Sequence, residues 1–135
     1  MAALKKRYYP KIAEEVYLAT LDNGMSLSII KKKGFIEKAA FLSTNFGALD
    51  NRFYIDGKLQ TYPAGIAHFL EHKLFEDDQG RDVTLDFVKL GADVNAFTTL
   101  DRTTYYFSTI DHFEESLELL LKFTSEFTSS EDTVN

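Results

Sequence analysis

The stretch Val94-Asn95-Ala96-Phe97-Thr98-Thr99-Leu100-Asp101-Arg102-Thr103-Thr104-Tyr105-Tyr106-Phe107-Ser108-Thr109-Ile110 decides the fold. Val94 to Thr98 and Thr103 to Ile110 are rich in β-branched and aromatic residues, which suit a pleated, half-buried backbone. Leu100-Asp101-Arg102 separates them, so the simplest reading is an antiparallel pair. Tyr105, Tyr106 and Phe107 read as core and strand-pair residues. On the N-terminal side, Gly65 to Phe75 has helical spacing, with Ile66, Phe69, Leu70 and Leu74 on one side and His68, Glu71 and His72 on the other. A second helix is expected from an N-cap near Asp82 through Val83, Leu85, Phe87, Val88 and Leu90 to Gly91, whose missing Cβ suits a C-terminal cap. On the C-terminal side, Asp111 and Glu114 stand at capping-box spacing and open a third helix with Phe113, Leu117, Leu120 and Leu121 as its buried stripe. His112 reads as a surface residue, not a metal ligand.

Farther upstream, Tyr17, Ala19 and Leu21 alternate with polar neighbours, and Met25, Leu27 and Ile29 resume the alternation after Asp22-Asn23-Gly24. Asn-Gly supplies the positive φ angles of a tight hairpin turn. Lys38 to Phe46 is a further strand-like run, and Ala39-Ala40-Phe41-Leu42 suggests burial on both faces at its start. Gly47 ends it. Leu49 to Tyr62 reads as an excursion carrying a small hairpin at Asp56-Gly57, and Pro63 stops it. The order strand, strand, helix, helix, strand, strand, helix predicts an α+β fold in two layers, a largely antiparallel sheet with helices packed on one face. The tail from Ser125 to Asn135 loses its apolar spacing, as expected of a helix end, linker or boundary.

The 135 residues have the length of one domain, 1–135, and the 44% apolar and 27% charged residues argue for a folded chain rather than a disordered one. The net charge of −6 repels phosphate backbones, so nucleic acid is not expected as a partner. The basic runs Lys5-Lys6-Arg7 and Lys31-Lys32-Lys33 read as solvated strand ends or turn flanks. No apolar run approaches a membrane span, so no membrane partner is expected. The absence of cysteine leaves any metal to His, Asp or Glu and permits a reducing compartment, with cytoplasm the expected location.

His68-Phe69-Leu70-Glu71-His72 is the feature with the sharpest chemical meaning. Two histidines at i and i+4 stand one above the other on a helix, so both imidazoles can reach a single ion about 2.0–2.1 Å from each nitrogen. Glu71 lies on the same stripe and can point a carboxylate at water beside the ion without being a ligand, the place for a general base. The alternative is a solvated helix face with no ligand at all.

The order His-x-x-Glu-His resembles that of the pitrilysin or insulinase-type zinc metallopeptidases, the inverzincins. The wider run Pro63 to Phe75 is similar to the family's Gly-x-Ala-His-Phe-Leu-Glu-His signature. Asp93 to Thr98, followed by Asp101 to Tyr106, is similar to the strand after the family's second helix. The likeness extends from about Glu15 to about Phe127, and Lys73-Leu74-Phe75-Glu76 is most like bacterial members that process small peptides. The resemblance implies a zinc metalloendopeptidase domain with His68 and His72 as zinc ligands and Glu71 as catalytic base. It also implies a peptide substrate lying along the Asn95–Thr98 strand, in which Asn95, Ala96 and Phe97 read equally well as ordinary strand residues.

A catalytic zinc takes three protein ligands and leaves one position open. In the family the third is a Glu on a later helix, and only 63 residues (135 − 72) follow His72 here. The resemblance therefore implies a third ligand outside this chain, an N-terminal part of the domain with little activity alone, and a homologous second half or partner subunit that helps to enclose substrate. Apolar surface meant for those segments would favour self-association of such a fragment. Glu126, Glu131 and Asp132 read as a solvated helix end, not as ligands. The alternative functions are a non-catalytic peptide-binding subunit of the same fold, against which the intact Glu71 argues, and a structural domain.

Overall fold

A computed structural model describes residues 3–126. The chain divides between Phe35 and Ile36 into two compact units. In the first, β1 (Lys5–Tyr9), β2 (Glu14–Thr20) and β3 (Ser26–Ile30) form an antiparallel sheet in that order. The β2–β3 turn follows from Asn23-Gly24. Gly24 takes φ +86°, the Asn23 side chain accepts from the Met25 N–H at 3.0 Å, and the Leu21 N–H closes the turn onto the Met25 carbonyl at 2.8 Å. Lys5-Lys6-Arg7 lies within β1, paired with Val16 to Leu18. Its charges stay in solvent, where Lys6 reaches Glu15 at 2.6 Å.

The second unit is built on β4 (Lys38–Thr44), β7 (Ala92–Thr98) and β8 (Thr103–Thr109), ordered β4-β8-β7 and antiparallel throughout. Between β4 and the helices lies the hairpin of β5 (Arg52–Ile55) and β6 (Lys58–Thr61), turning at Asp56-Gly57 as expected. Helices α1 (Ile66–Leu74), α2 (Thr84–Lys89) and α3 (Phe113–Ser125) complete it. Val83, Phe87, Ala92, Tyr105, Phe107, Leu120 and Phe123 form the buried core, with Ala40, Leu42, Val94 and Ala96 packed against it. The chain is thus an α+β protein whose sheet turns one face to its helices.

The period of two decides which strand residues enter that core. Burial on both faces at the start of β4 does not occur. Ala40 and Leu42 face the core, whereas Phe41 is 65% exposed and stacks on Tyr106 with ring centroids 5.3 Å apart. The two residues sit directly opposite in the β4–β8 register, so the pair is a cross-strand contact on the bare face. Tyr105 and Phe107 are core residues, and Tyr106 belongs to the other side.

Helix ends follow local chemistry only in part. Asp82 Oδ1 accepts from the N–H and the hydroxyl of Thr84 at the start of α2, but the cap position falls one residue later than expected, at Val83, which makes no side-chain cap bond, and Gly91 leaves the helix at φ +70°. In α3 the expected Asp111 cap is replaced by His112, which enters the left-handed region at φ +54° with no side-chain cap bond. The reason lies in β8. Thr109, the last residue of β8, donates its hydroxyl to the Asp111 carbonyl at 2.5 Å and so ties the bend after the strand back to it. The inward stripe of α3 is Phe113, Ser116, Leu117, Leu120 and Phe123, while Leu121 is 42% exposed.

Gly47 does more than end β4. A Cβ there would lie 2.4 Å from the Arg102 nitrogen and 2.6 Å from that of Asp101. This close approach lets the Ala48 N–H reach the Thr99 carbonyl at 2.8 Å and the Leu49 N–H reach that of Leu100 at 3.0 Å. The β7–β8 turn is thereby stapled from outside.

Candidate metal centre

Helix α1 begins at Gly65, whose φ of +90° turns the chain out of Pro63-Ala64. The Gly65 carbonyl takes the Phe69 N–H at 2.9 Å, so the pentad occupies regular helix from its first residue onward. Lys73 falls in the last turn, where its positive charge complements the helix dipole.

The helix packs on β7 and β8, and its inward side matches apolar spacing only in part, since Leu74 packs against the core as expected. Ala67 and Glu71 are buried, whereas Phe69 is 40% exposed. His68 and His72 lie one turn apart at the exposed rim, their Nε2 atoms 3.0 Å from each other and their rings tilted by 56°. Glu71, 7% exposed, approaches from beneath them. One atom from each of the three side chains falls within a group spanning no more than 4.8 Å.

The donor set suits a small divalent cation. When both rings carry their proton on Nδ1, both Nε2 lone pairs turn toward the same space, and two lone pairs at 3.0 Å repel unless a cation lies between them. Nitrogens bound tetrahedrally to zinc stand roughly 3.3 Å apart, close to the separation found. The carboxylate supplies the negative charge that such a cation would meet next. Among the described residues no other His, Asp or Glu joins the group. His112 is exposed and pairs with Glu115 at 3.4 Å, in keeping with a surface role. Glu126 lies exposed at the end of α3, outside the group, and Glu131 and Asp132 fall outside the described residues.

Asn95, Ala96 and Phe97 occupy β7, the edge of the three-stranded sheet. Ala96 points toward the helices, while Asn95 and Phe97 lie exposed on the opposite face, Phe97 beside Tyr106 at 6.1 Å. The Asn95 side chain accepts the Ala96 N–H at 2.8 Å. The three residues therefore do not converge on the histidines as side chains. What they offer is a strand edge.

One residue at the site, Thr98, has no role of its own in the sequence reading, and Tyr105, expected in the core, is found there near Glu71. Thr98 donates its hydroxyl to Glu71 Oε2 at 2.5 Å. Tyr105 lies nearby in the core, and burial, with the neighbouring Glu71 charge added, pushes its hydroxyl well above the usual tyrosine range. A signal for Thr98 is present in the sequence. With Val94 and Ala96 inward, the period of two turns Thr98 inward also, and a polar group on a buried face calls for a partner.

The profile of Insulinase (Peptidase family M16) matches residues 60–134, more than half of the chain. The chain belongs to this family. It is 43% identical over 133 residues to the uncharacterized zinc protease YmfH of Bacillus subtilis, covering 97% of this chain and 31% of that protein. An M16-like peptidase from Alicyclobacillus acidocaldarius superposes with a TM-score of 0.83 at 36% identity, over 90% of this chain and 28% of the other. Pitrilysin shares the fold, with a TM-score of 0.57 at 21% identity, over 81% of this chain and 12% of its own. The chain thus spans about a third or less of the length of these M16 relatives.

Proposed function

We propose that His68, His72 and Glu71 are the zinc-holding and proton-handling part of a metalloendopeptidase site. The single observation that carries this is the pair of Nε2 atoms 3.0 Å apart on one helix turn with a buried carboxylate beside them. His68 and His72 would hold the ion, with a third protein ligand coming from outside the described residues. When bound, zinc supplies Lewis acidity for the scissile carbonyl and for the attacking water. Glu71 takes a proton from that water and passes it to the leaving amine nitrogen. Its shielding from bulk solvent keeps the transfer between carboxylate and substrate.

A peptide would add along the edge of β7, where Asn95 to Phe97 offer main-chain partners. The chain acts as one piece of a peptidase domain, completed by a homologous second half or partner subunit, in the cytoplasm. The relatives named zinc protease support the class of chemistry.

The test compares the complete protein with Glu71→Gln. The variant is expected to retain its zinc and lose about 10²–10⁴-fold in peptide hydrolysis. Full hydrolysis by Glu71→Gln would refute the assignment of the base. A wild-type protein that binds peptide and zinc but never cleaves would favour the non-catalytic alternative.

A further inference from the structure

We infer that Thr98 is a positioning residue: its hydroxyl fixes the carboxylate of Glu71 by occupying Oε2 and leaves the other carboxylate oxygen as the acceptor for the proton of the attacking water. The inference rests on the reading of Glu71 as general base.

The proton inventory carries it. An ionised carboxylate only accepts, so in the 2.5 Å contact the Thr98 hydroxyl must be the donor. The distance is that of a charge-assisted O–H···O⁻ bond. Thr98 also lies 3.4 Å from the Thr103 hydroxyl, but Thr103 spends its own proton on the Phe46 carbonyl at 2.8 Å. Each hydroxyl has one proton, and both are committed. Thr98 is therefore directed at Glu71, with no competing acceptor for its hydrogen among these partners.

The backbone holds this donor still. Thr98 is the last residue of β7 and stands opposite Thr103 in the register. The next residue is clamped on both sides, since the Thr99 N–H reaches the Arg102 carbonyl and the Thr99 carbonyl takes the Ala48 N–H, both at 2.8 Å. Glu71 has no other side-chain hydrogen bond among the described residues. A buried, three-torsion carboxylate with one fixed donor has its direction set by that donor. The hydroxyl lies on the helix-facing side of β7, away from the exposed Asn95 and Phe97 face.

The experiment compares Thr98→Val, which keeps the branched shape that suits a strand, Thr98→Ala, and Thr98→Ser, which keeps the hydroxyl. Two readouts are taken on the complete protein: the position of the Glu71 carboxylate in metal-free crystals, and kcat, KM and zinc affinity for the zinc-loaded enzyme. In Thr98→Val and Thr98→Ala the carboxylate is expected to leave its place. Their kcat should fall by about 10- to 100-fold with KM and zinc affinity unchanged, while Thr98→Ser keeps both the carboxylate position and most of kcat. A carboxylate that stays in place in Thr98→Val and Thr98→Ala, or an unchanged kcat, overturns the inference. A rise in KM alone would make Thr98 a substrate contact instead, which also overturns it. Should the wild-type protein neither bind zinc nor cleave peptides, the peptidase reading fails by itself, and the metal-free crystals still decide whether Thr98 directs Glu71.

Discussion

The two faces of the β4-β8-β7 sheet are made by neighbouring residues of the same strands, yet they live in different surroundings. Tyr105 and Phe107 are buried under the helices, while Tyr106 between them stacks with Phe41 on the bare side. Phe107 is 0% exposed and Phe41 65%. Composition alone does not separate them, because all are aromatic and all suit a strand. Only the placement of three helices on one side does, and the same placement puts Glu71 and Thr98 on the dry side and the histidines at the rim.

The comparison is broken most severely by removing a buried ring. Phe107→Ala is expected to cost about 3–5 kcal/mol in urea unfolding, from lost burial and the cavity left behind. Phe41→Ala removes a ring of equal size from the open face and should cost about 1 kcal/mol or less. Equal losses for the two would show that the bare face is buried in solution.

A smaller effect sharpens the contrast through pH. The Tyr105 hydroxyl is raised first by burial and then by Glu71, so the folded chain holds this proton more tightly than the unfolded chain. Its stabilising contribution is therefore complete below the ordinary tyrosine value of about 10 and is lost as pH rises above it. Unfolding free energies measured from pH 8 to 11 should fall less steeply in Tyr105→Phe than in the wild type. Parallel slopes would contradict the burial of this hydroxyl.

Legibility in the sequence followed the range of the forces involved. The Asn23-Gly24 turn, the Asp56-Gly57 hairpin and the pairing of Val94–Thr98 with the run from Thr103 are local, and each is readable from a few residues, although the first strand of that pair begins earlier, at Ala92, and the second ends at Thr109, short of Ile110. Strand β1 was not, because Lys5 to Tyr9 shows no alternation and is a strand by virtue of β2 beside it. Phe41 and Leu121 looked like core residues, yet which side of an element is covered is a tertiary fact. At the candidate site, helical spacing alone brought His68 and His72 together. The burial of Glu71 was missed because apolar spacing pointed to Phe69, while the sheet received Ala67 and Glu71. Thr98 is 27 residues from Glu71 along the chain, and no local pattern joins them.

The proposed centre is tested most directly by X-ray absorption at the zinc edge on the zinc-loaded protein, alongside His68→Ala and His72→Ala. Two imidazole nitrogens at about 2.0–2.1 Å are expected in the wild type, with one lost in each variant. A zinc shell without imidazole scattering, or one that neither substitution changes, would contradict the assignment.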